Sequence, residues 1–228
     1  MKIGLVIPWR EQPSRIKPLE AVLDWYKTNL SDIEIFYADR PGEKWNAAAS
    51  RNDGVKRAQE AHCDVIIVND ADTIPEIKPL LEAIEECQKD NMIHNPYTQA
   101  RIMNEEETAP YYEGKSLYWL QGTEHYLANG GIYVCTPKSW WLLGGQDEKF
   151  MGWGYEDSAF DRVHQIVHGQ QIKKHPGIIY SLGHKRAVEN EDFYVLNSAN
   201  RDIYLKYYEN HTVESMINLV KQKPNIQN

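Results

Sequence analysis

Two aspartates that directly follow a short apolar run are the clearest chemical signal in this sequence. Asp70 and Asp72 come after Val65-Ile66-Ile67-Val68. Carboxylates this close repel one another, and a divalent cation relieves the repulsion. Oxygen ligands suit Mg²⁺ or Mn²⁺, which bridge diphosphates and offset charge on a leaving nucleotide. Helix-capping aspartates in a solvated loop are the alternative, and the apolar run before the pair makes that alternative weaker.

The second signal is a glycine-flanked aromatic segment, Gly152-Trp153-Gly154-Tyr155-Glu156-Asp157. Its glycines let the backbone and Trp153 approach a ligand closely. Glu156 and Asp157 begin a predicted helix, whose dipole favours ionised carboxylates. An ionised, partly desolvated Asp157 is suited to removing a proton from an attacking hydroxyl. Acidic residues also cap helices without any further role, so this segment alone does not decide between the two interpretations.

Histidine and arginine side chains supply further candidates near predicted strand ends. His184, in Gly183-His184-Lys185-Arg186, is a candidate metal ligand, although most of the eight histidines are expected on the surface. Arg10, Arg15 and Arg51 are placed to pair with a diphosphate. Surface ion pairs would account for the same arginines.

An alternation of strands and helices positions these residues. The pattern predicts, in order, strands and helices over Lys2 to Ile7, Ile16 to Leu30, Ile33 to Tyr37, Trp45 to Ala61, Asp64 to Val68 and Ile77 to Ile84. Such alternation predicts a doubly wound α/β fold, which binds ligands at the carboxyl ends of its strands. Pro8, Arg10, Asp39, Asp70 and Asp72 all fall at those ends.

The second half of the chain is less regular. Residues 91 to 129 are predicted as loops with short strands and a mobile lid, and they include the acidic run Glu105-Glu106-Glu107. Further elements are predicted at Gly131 to Thr136, Glu156 to His168, Ile178 to Tyr180, and from Asp202 onward. We expect one domain over 1–228, with a nucleotide-binding half (1–90), a metal and acceptor half (91–186) and a helical tail (187–228).

Composition limits the class of protein. The 228 residues are 42% hydrophobic and 25% charged, which indicates a globular chain and excludes a disordered or fibrous one. No stretch approaches the roughly 20 apolar residues of a membrane span. The three separated cysteines favour a reducing, cytoplasmic location. A net charge of −8 without a lysine-arginine run disfavours a nucleic-acid partner, although a nucleic-acid acceptor stays open.

Taken in order, these motifs resemble the GT-A glycosyltransferases, and most closely the inverting β-galactosyltransferase and chondroitin-polymerase type. The likeness covers roughly residues 3 to 186. It is carried by Ile7-Pro8-Trp9-Arg10, Ala49-Ser50-Arg51-Asn52-Asp53-Gly54, Asn69-Asp70-Ala71-Asp72-Thr73-Ile74-Pro75, Gly130-Gly131-Ile132 and Gly152-Trp153-Gly154-Tyr155-Glu156-Asp157. The resemblance implies a GT-A, Rossmann-like mixed sheet in a single domain.

The resemblance also implies a role for each matched position. The donor-binding residues would be Pro8, Arg10, Arg15, Asp39, Arg51, Asp70, Gly130 and Gly131. The acceptor-binding residues would be Trp153, Gly154 and Tyr155, with Trp153 as a stacking floor under a sugar. Asp72 and His184 would hold Mn²⁺ or Mg²⁺. Asp157 would be the catalytic base, and Glu156 would hold acceptor or donor hydroxyls beside it.

Three positions bear on how far the resemblance extends. Tyr155 stands where the galactosyltransferase motif commonly has glycine, which implies a narrower acceptor pocket. Ser181 stands where some members have a methionine ligand, which implies a different metal coordination completed by Ser181 or water. Asp157 stands where retaining relatives tend to have asparagine, and it therefore favours inversion.

The predicted function is a metal-dependent glycosyltransferase that moves a sugar from a nucleotide-diphosphate donor, with UDP as the commonest base, to a hydroxyl on a glycan or other acceptor. Two alternatives stay open. A nucleotidyltransferase would also use strand-end aspartates but would release pyrophosphate. A non-catalytic module would bind a sugar or nucleotide without turnover.

Overall fold

Parallel strands connected by helices form the first part of the fold. The computed structural model describes residues 1–42, 44–126, 128–185 and 191–221, without the side chains of 191–194 and 221. The first elements are β1 (Ile3–Pro8), α1 (Pro13–Asn29), β2 (Ile33–Ala38), α2 (Ala47–Glu60) and β3 (Val65–Asn69). β1 pairs in parallel with β2 on one side and β3 on the other. All residues of β1 and β3 are buried, as expected for a sheet covered on both faces.

Short strands and helices make up the remainder. They are β4 (Thr73–Pro75), α3 (Ile77–Asp90), β5 (His94–Asn95), β6 (Gln99–Ile102), α4 (Glu105–Tyr112), β7 (Thr123–Tyr126), β8 (Ile132–Cys135), α5 (Pro137–Leu142), α6 (Glu156–His168), β9 (Lys173–Lys174), β10 (Ile178–Ser181), α7 (Glu191–Glu209) and α8 (Val213–Lys221). A single 3₁₀ turn covers Leu117–Trp119.

The strands form two sheets. The larger has the order β2-β1-β3-β8-β5-β9, and β8 runs antiparallel to β3, so the sheet is mixed as predicted. The smaller has the order β4-β10-β6-β7. Both sheets join the first and second halves of the chain, through β3 with β8 and through β4 with β10.

The core lies on both faces of the larger sheet because neighbouring strand residues point to opposite faces. Leu5, Ile7 and Ile67 belong to one buried cluster with residues of α1 and α3. Val6 and Ile66 belong to the other, with residues of α2, α5 and α6. The sheet is therefore covered on both faces, and its strand ends are left to carry the polar residues.

Two predicted elements are corrected by the structure. The acidic run Glu105-Glu106-Glu107 is the first turn of α4, and Asn104 begins that helix through a capping box with Glu107. Helix α7 begins at Glu191, well before Asp202. α4 has no apolar periodicity to reveal it, because Thr108 is its only buried residue. Of the predicted tail 187–228, residues 187–190 and 222–228 lie outside the described residues.

The described helices and the three cysteines bear on where the protein could be located. Among the helices that the structure describes, none has the length and apolar character needed to cross a membrane. Cys63, Cys87 and Cys135 are buried free thiols. The cytoplasmic location and the division into functional halves stay predictions.

Candidate active site

The Asp70–Asp72 segment is a rigid turn at the end of β3. The buried side chain of Asn69 donates to the backbone carbonyls of Asp70 (2.7 Å) and Thr73 (2.9 Å). Tyr26 donates to the Asn69 side chain at 2.8 Å. The Asp70 backbone N–H donates to the carbonyl of Gly131 at 2.8 Å, which ties the turn to the segment before β8.

Asp72 and His184 meet because β4 and β10 are antiparallel neighbours. Thr73 is paired with Ser181, so the residues just before β4 and just after β10 lie together. His184 Nε2 is 2.8 Å from Asp72 Oδ2. Burial raises the pKa of Asp72, but the His184 hydrogen bond and the charge of Arg15 outweigh it and hold the pKa below its usual value.

The donor set at this point fits a divalent cation. A carboxylate oxygen and an imidazole nitrogen converge, and the other ring nitrogen of His184 faces the Lys185 carbonyl at 3.1 Å, as in the outer contacts of metal-bound histidines. Arg15 Nη2 is 3.1 Å from the same Asp72 oxygen and places a positive charge beside it. Asp70 instead directs Oδ1 to Arg51 at 2.9 Å.

Arg51 is the electrostatic centre of the site. Its guanidinium, in a side chain only 4% exposed, contacts Asp70 at 2.9 Å, Asp157 at 2.8 Å and Glu156 at 3.8 Å. Burial raises the pKa of Asp70, and the positive charge of Arg51 offsets part of that rise. The sequence analysis assigned Arg51 to donor binding, and the structure shows its guanidinium paired with three carboxylates of the protein.

Asp157 is held in one orientation by its first carboxylate oxygen. Oδ1 accepts hydrogen bonds from Arg51 Nη1 (2.8 Å), the Tyr133 hydroxyl (2.8 Å) and Gln146 Nε2 (3.0 Å). Among the described residues, no hydrogen bond involves Oδ2. A carboxylate fixed through one oxygen presents the other to a bound hydroxyl, which is the geometry that a general base needs.

Gly130 gives the second oxygen its space. Its φ is +90°, and a Cβ at this position would overlap Asp157 Oδ2. Gly131 also has a positive φ, of +77°. Tyr97 donates a short hydrogen bond to the Gly130 carbonyl, which holds the segment in place. Gly130 therefore lies against Asp157, in the two-glycine segment to which the resemblance assigns donor binding.

Glu156 is the most strongly perturbed carboxyl group of the site. Burial, with the neighbouring charge of Asp157, raises its pKa to about 7. Its Oε2 accepts a hydrogen bond from the Gly154 backbone N–H at 3.1 Å. The raised pKa favours the protonated carboxyl of Glu156, whose Oε1 lies 3.8 Å from Arg51 Nη1.

Arg10 and Asp39 form a separate pair at the ends of β1 and β2. Arg10 donates to both Asp39 oxygens, the shortest contact being 2.8 Å, and its guanidinium lies 5.4 Å from the Trp45 ring centre. Pro8 lies opposite Ala38 in the sheet. Beside this pair is a cleft of about 420 Å³, whose lining includes residues of the β2–α2 loop and the loop before α6.

The aromatic segment before α6 forms an exposed rim. Trp153 is 67% exposed, as a stacking surface requires. Tyr155 has a φ of +73° at the start of α6, and its ring stacks on Tyr204 of α7 with centroids 5.5 Å apart. Asn200 of α7 donates to the Met151 carbonyl at 2.8 Å and anchors the segment.

Sequence reasoning missed two residues that contact the predicted base, Tyr133 and Gln146. Tyr133 is recognisable in retrospect because it lies on a predicted strand directly after the Gly130-Gly131 motif. Gln146 follows Gly144 and Gly145, both with positive φ, which indicate a tight turn but not its direction.

The structure thus brings most predicted residues to one edge of the fold. Arg51, Asp70, Gly130, Glu156 and Asp157 are in contact, and Asp72, His184 and Arg15 adjoin them. Their predicted roles toward donor, acceptor and metal stay predictions.

Sequence comparison identifies a galactosyltransferase relative. Xylosylprotein 4-beta-galactosyltransferase of Caenorhabditis elegans is 25% identical over 162 residues, which are 70% of this chain and 48% of the relative. The chain thus spans about half the length of the curated relative that it matches. No protein-family model matches the chain.

Solved structures share the fold. The catalytic domain of Drosophila beta1,4-galactosyltransferase 7 with xylobiose matches with a TM-score of 0.52 and 15% identity over 93% of this chain and 83% of that one. A substituted form of the same enzyme, solved with manganese, UDP-galactose and xylobiose, matches with a TM-score of 0.52 and 16% identity. The match covers 88% of this chain and 79% of that one. GalNAc-T7, solved with UDP, GalNAc and Mn²⁺, matches with a TM-score of 0.52 and 10% identity. The match covers 96% of this chain and 51% of that one.

These matches define the class of fold: the chain has the mixed α/β fold of the GT-A glycosyltransferases, as predicted. Within that class, its sequence is similar to that of a β-galactosyltransferase, which agrees with the resemblance drawn from the motifs.

Proposed function

We propose that this chain is a metal-dependent glycosyltransferase that moves a sugar from a UDP-sugar to an acceptor hydroxyl with inversion. The observation that carries the proposal is the arrangement of Asp157, with one oxygen fixed by three donors and the other next to Gly130. Arg51 links Asp157 to Asp70, two residues before Asp72, which pairs with His184. A base and a cation site at the same edge of a sheet are what this transfer requires.

Asp72 and His184 are the residues that would hold Mn²⁺ or Mg²⁺. A cation bound there would supply charge stabilisation to the departing nucleotide diphosphate. Arg15, at 3.1 Å from Asp72 Oδ2, would pair with the diphosphate from the protein side. Arg10, with Asp39 and Trp45 around it, would face the nucleotide.

Asp157 Oδ2 would accept the proton of the acceptor hydroxyl. The hydroxyl oxygen would attack the anomeric carbon as the bond from that carbon to the nucleotide diphosphate breaks. Arg51, Tyr133 and Gln146 would keep the carboxylate oriented through Oδ1. Attack from the side opposite the leaving group inverts the anomeric centre. Exposed Trp153 would support the acceptor ring from below.

UDP-galactose and a β-xyloside are the substrates to test first. The sequence relative is named as a xylosylprotein galactosyltransferase, and a structural neighbour was solved with UDP-galactose and xylobiose. Tyr155, whose ring stacks on Tyr204, would narrow the acceptor side. A panel of other glycosides is therefore tested beside the xyloside.

The Asp157→Asn variant tests the base. Loss of a general base typically lowers turnover by about 10² to 10⁴-fold. We expect that loss in galactose transfer, with UDP binding unchanged. Asp53→Asn is the matched control because Asp53 lies on α2 and pairs with Arg57 across 3.9 Å. Transfer by Asp157→Asn within about threefold of wild type would refute the assignment of the base.

A further inference from the structure

A second group of metal-ligating side chains lies outside the site described above. Glu86 on α3, His94 on β5 and His175 just after β9 offer ligand atoms within 4.8 Å of one another. His94 is fully buried and His175 is 4% exposed. Three separate elements therefore direct one carboxylate and two imidazoles to a common point.

The outer nitrogen of each imidazole faces a carboxylate. His94 Nε2 is 3.1 Å from both oxygens of Asp90. His175 Nδ1 is 3.7 Å from Glu82 Oε2. Metal-bound histidines characteristically donate their outer N–H to a carboxylate, which fixes the ring and leaves the inner nitrogen unprotonated.

The inner nitrogens then face each other. His94 Nδ1 is 2.9 Å from His175 Nε2, and the ring planes differ by only 25° with centroids 5.2 Å apart, so the rings meet edge to edge. With a proton on each outer nitrogen, the two inner lone pairs would oppose one another across this distance, whereas a proton on one inner nitrogen makes the contact a hydrogen bond. Only a proton or a metal cation between the two inner nitrogens makes their contact favourable. Glu86 Oε2 lies 3.7 Å from His175 Nε2 and offers a third ligand atom for a cation there.

We propose that Glu86, His94 and His175 form a zinc site that ties α3 to the β5–β9 edge of the larger sheet. Two imidazole nitrogens and a carboxylate oxygen suit Zn²⁺, whereas an oxygen-rich site suits Mn²⁺ or Mg²⁺. Zn–N bonds of about 2.0–2.1 Å in a tetrahedral site separate the nitrogens by about 3.3 Å. The two nitrogens are 2.9 Å apart here, so the rings must separate and turn toward a shared point when zinc binds. Water supplies the fourth ligand.

Lys173 is the competitor for the carboxylate. Its Nζ is 2.5 Å from Glu86 Oε2, and its side chain is 47% exposed. Zinc displaces this ammonium from Glu86, and the exposed lysine moves into solvent. The buried rings of His94 and His175 then shield the bound zinc from solvent on one side, and helix α3 shields it on the other.

Zinc titration of the full chain tests the proposal. The protein is stripped with EDTA, carries Asp72→Ala to disable the predicted Mn²⁺ site, and is titrated with ZnCl₂ by calorimetry. We expect one equivalent of Zn²⁺ to bind and Co²⁺ to give the visible absorption of a tetrahedral site. Asp90→Asn is expected to weaken zinc binding by about 10- to 100-fold, and Glu86→Gln by more.

Glu85→Gln is the matched control. Glu85 adjoins Glu86 on α3, is 71% exposed and pairs with Lys89, so this variant is expected to bind zinc like its parent. Absence of binding in the Asp72→Ala protein, or equal binding by Glu86→Gln and Glu85→Gln, would overturn the proposal and leave a proton shared by the histidines. Because the readout is binding, the result does not depend on transferase activity.

Discussion

Arg51 is the residue on which the charge balance of the site depends. It faces Asp70, Glu156 and Asp157 from a buried position, and these three carboxylates would repel one another without it. A buried charge that loses its partner is strongly destabilising. Arg51 therefore has a structural task in addition to any contact with a donor.

Arg51→Met is expected to lower the free energy of unfolding by about 3 kcal/mol, because it leaves the carboxylates without a cation. Urea denaturation at pH 7 measures the loss. Arg57→Met, on the same helix but 47% exposed, is the control and is expected to cost less than about 1 kcal/mol. Equal losses in the two variants would contradict this role for Arg51.

The raised pKa of Glu156 predicts a specific dependence of the free energy of unfolding on pH. Its pKa is raised to about 7 in the fold from 4.5, so the folded state retains a proton that the unfolded state has released. Wild type therefore loses stability as pH rises from about 4.5 to about 7, and Glu156→Gln removes that loss. Denaturation at several pH values should show the variant gaining relative to wild type across this interval. A constant difference would contradict the raised pKa.

The resemblance paired Asp72 with His184, and the structure brings these two side chains to 2.8 Å, while their role toward a metal stays a prediction. The partners of Arg51 could not be predicted in the same way, because Asp70, Gln146 and Asp157 lie 19, 95 and 106 residues from it in sequence. Contacts of that kind follow from tertiary packing and leave no local pattern.

At the scale of elements, the segment before β8 gives a sharp test. Gly130→Ala places a Cβ against Asp157 Oδ2, whereas Gly114→Ala meets no atom within 4 Å, although both glycines have φ near +90°. Both variants share the backbone strain of about 1 kcal/mol. Only Gly130→Ala is expected to lose transfer, by about 10²-fold, because it displaces the base.

Melting temperature and turnover of the two glycine variants are the measurements. Similar melting temperatures with turnover lost in Gly130→Ala alone would support the account. Turnover lost equally in both variants would show that backbone strain, and not contact with Asp157, is responsible.

Helix α6 and helix α4 show why some elements are readable from sequence and others are not. α6 was predicted at Glu156 to His168 and is found there, because glycines precede it and Phe160 and Val163 form a buried stripe. α4 buries one residue, and β7 is exposed throughout, so neither shows a hydrophobic period. Strand β10 of the smaller sheet was predicted at Ile178 to Tyr180, but the sheet itself was not, because its strands are short and pair across distant segments.

At the scale of the whole molecule, the two sheets explain how distant motifs form one site. β3 beside β8 brings Asp70 to Gly131, and β4 beside β10 brings Asp72 to His184. The strand-helix alternation of the first half predicted the class of fold, whereas these two antiparallel pairings had no local signal. The active-site geometry therefore depends on contacts between the two halves of the chain.

The most direct test of the central claim is nucleotide release from a panel of UDP-sugars, beginning with UDP-galactose, with Mn²⁺ or with EDTA. The account predicts UDP release that requires Mn²⁺, increases with a suitable glycoside acceptor and is lost in Asp72→Ala. Release of pyrophosphate would instead indicate a nucleotidyltransferase. No release from any donor, together with no rise in melting temperature on adding UDP and Mn²⁺, would contradict the proposed function.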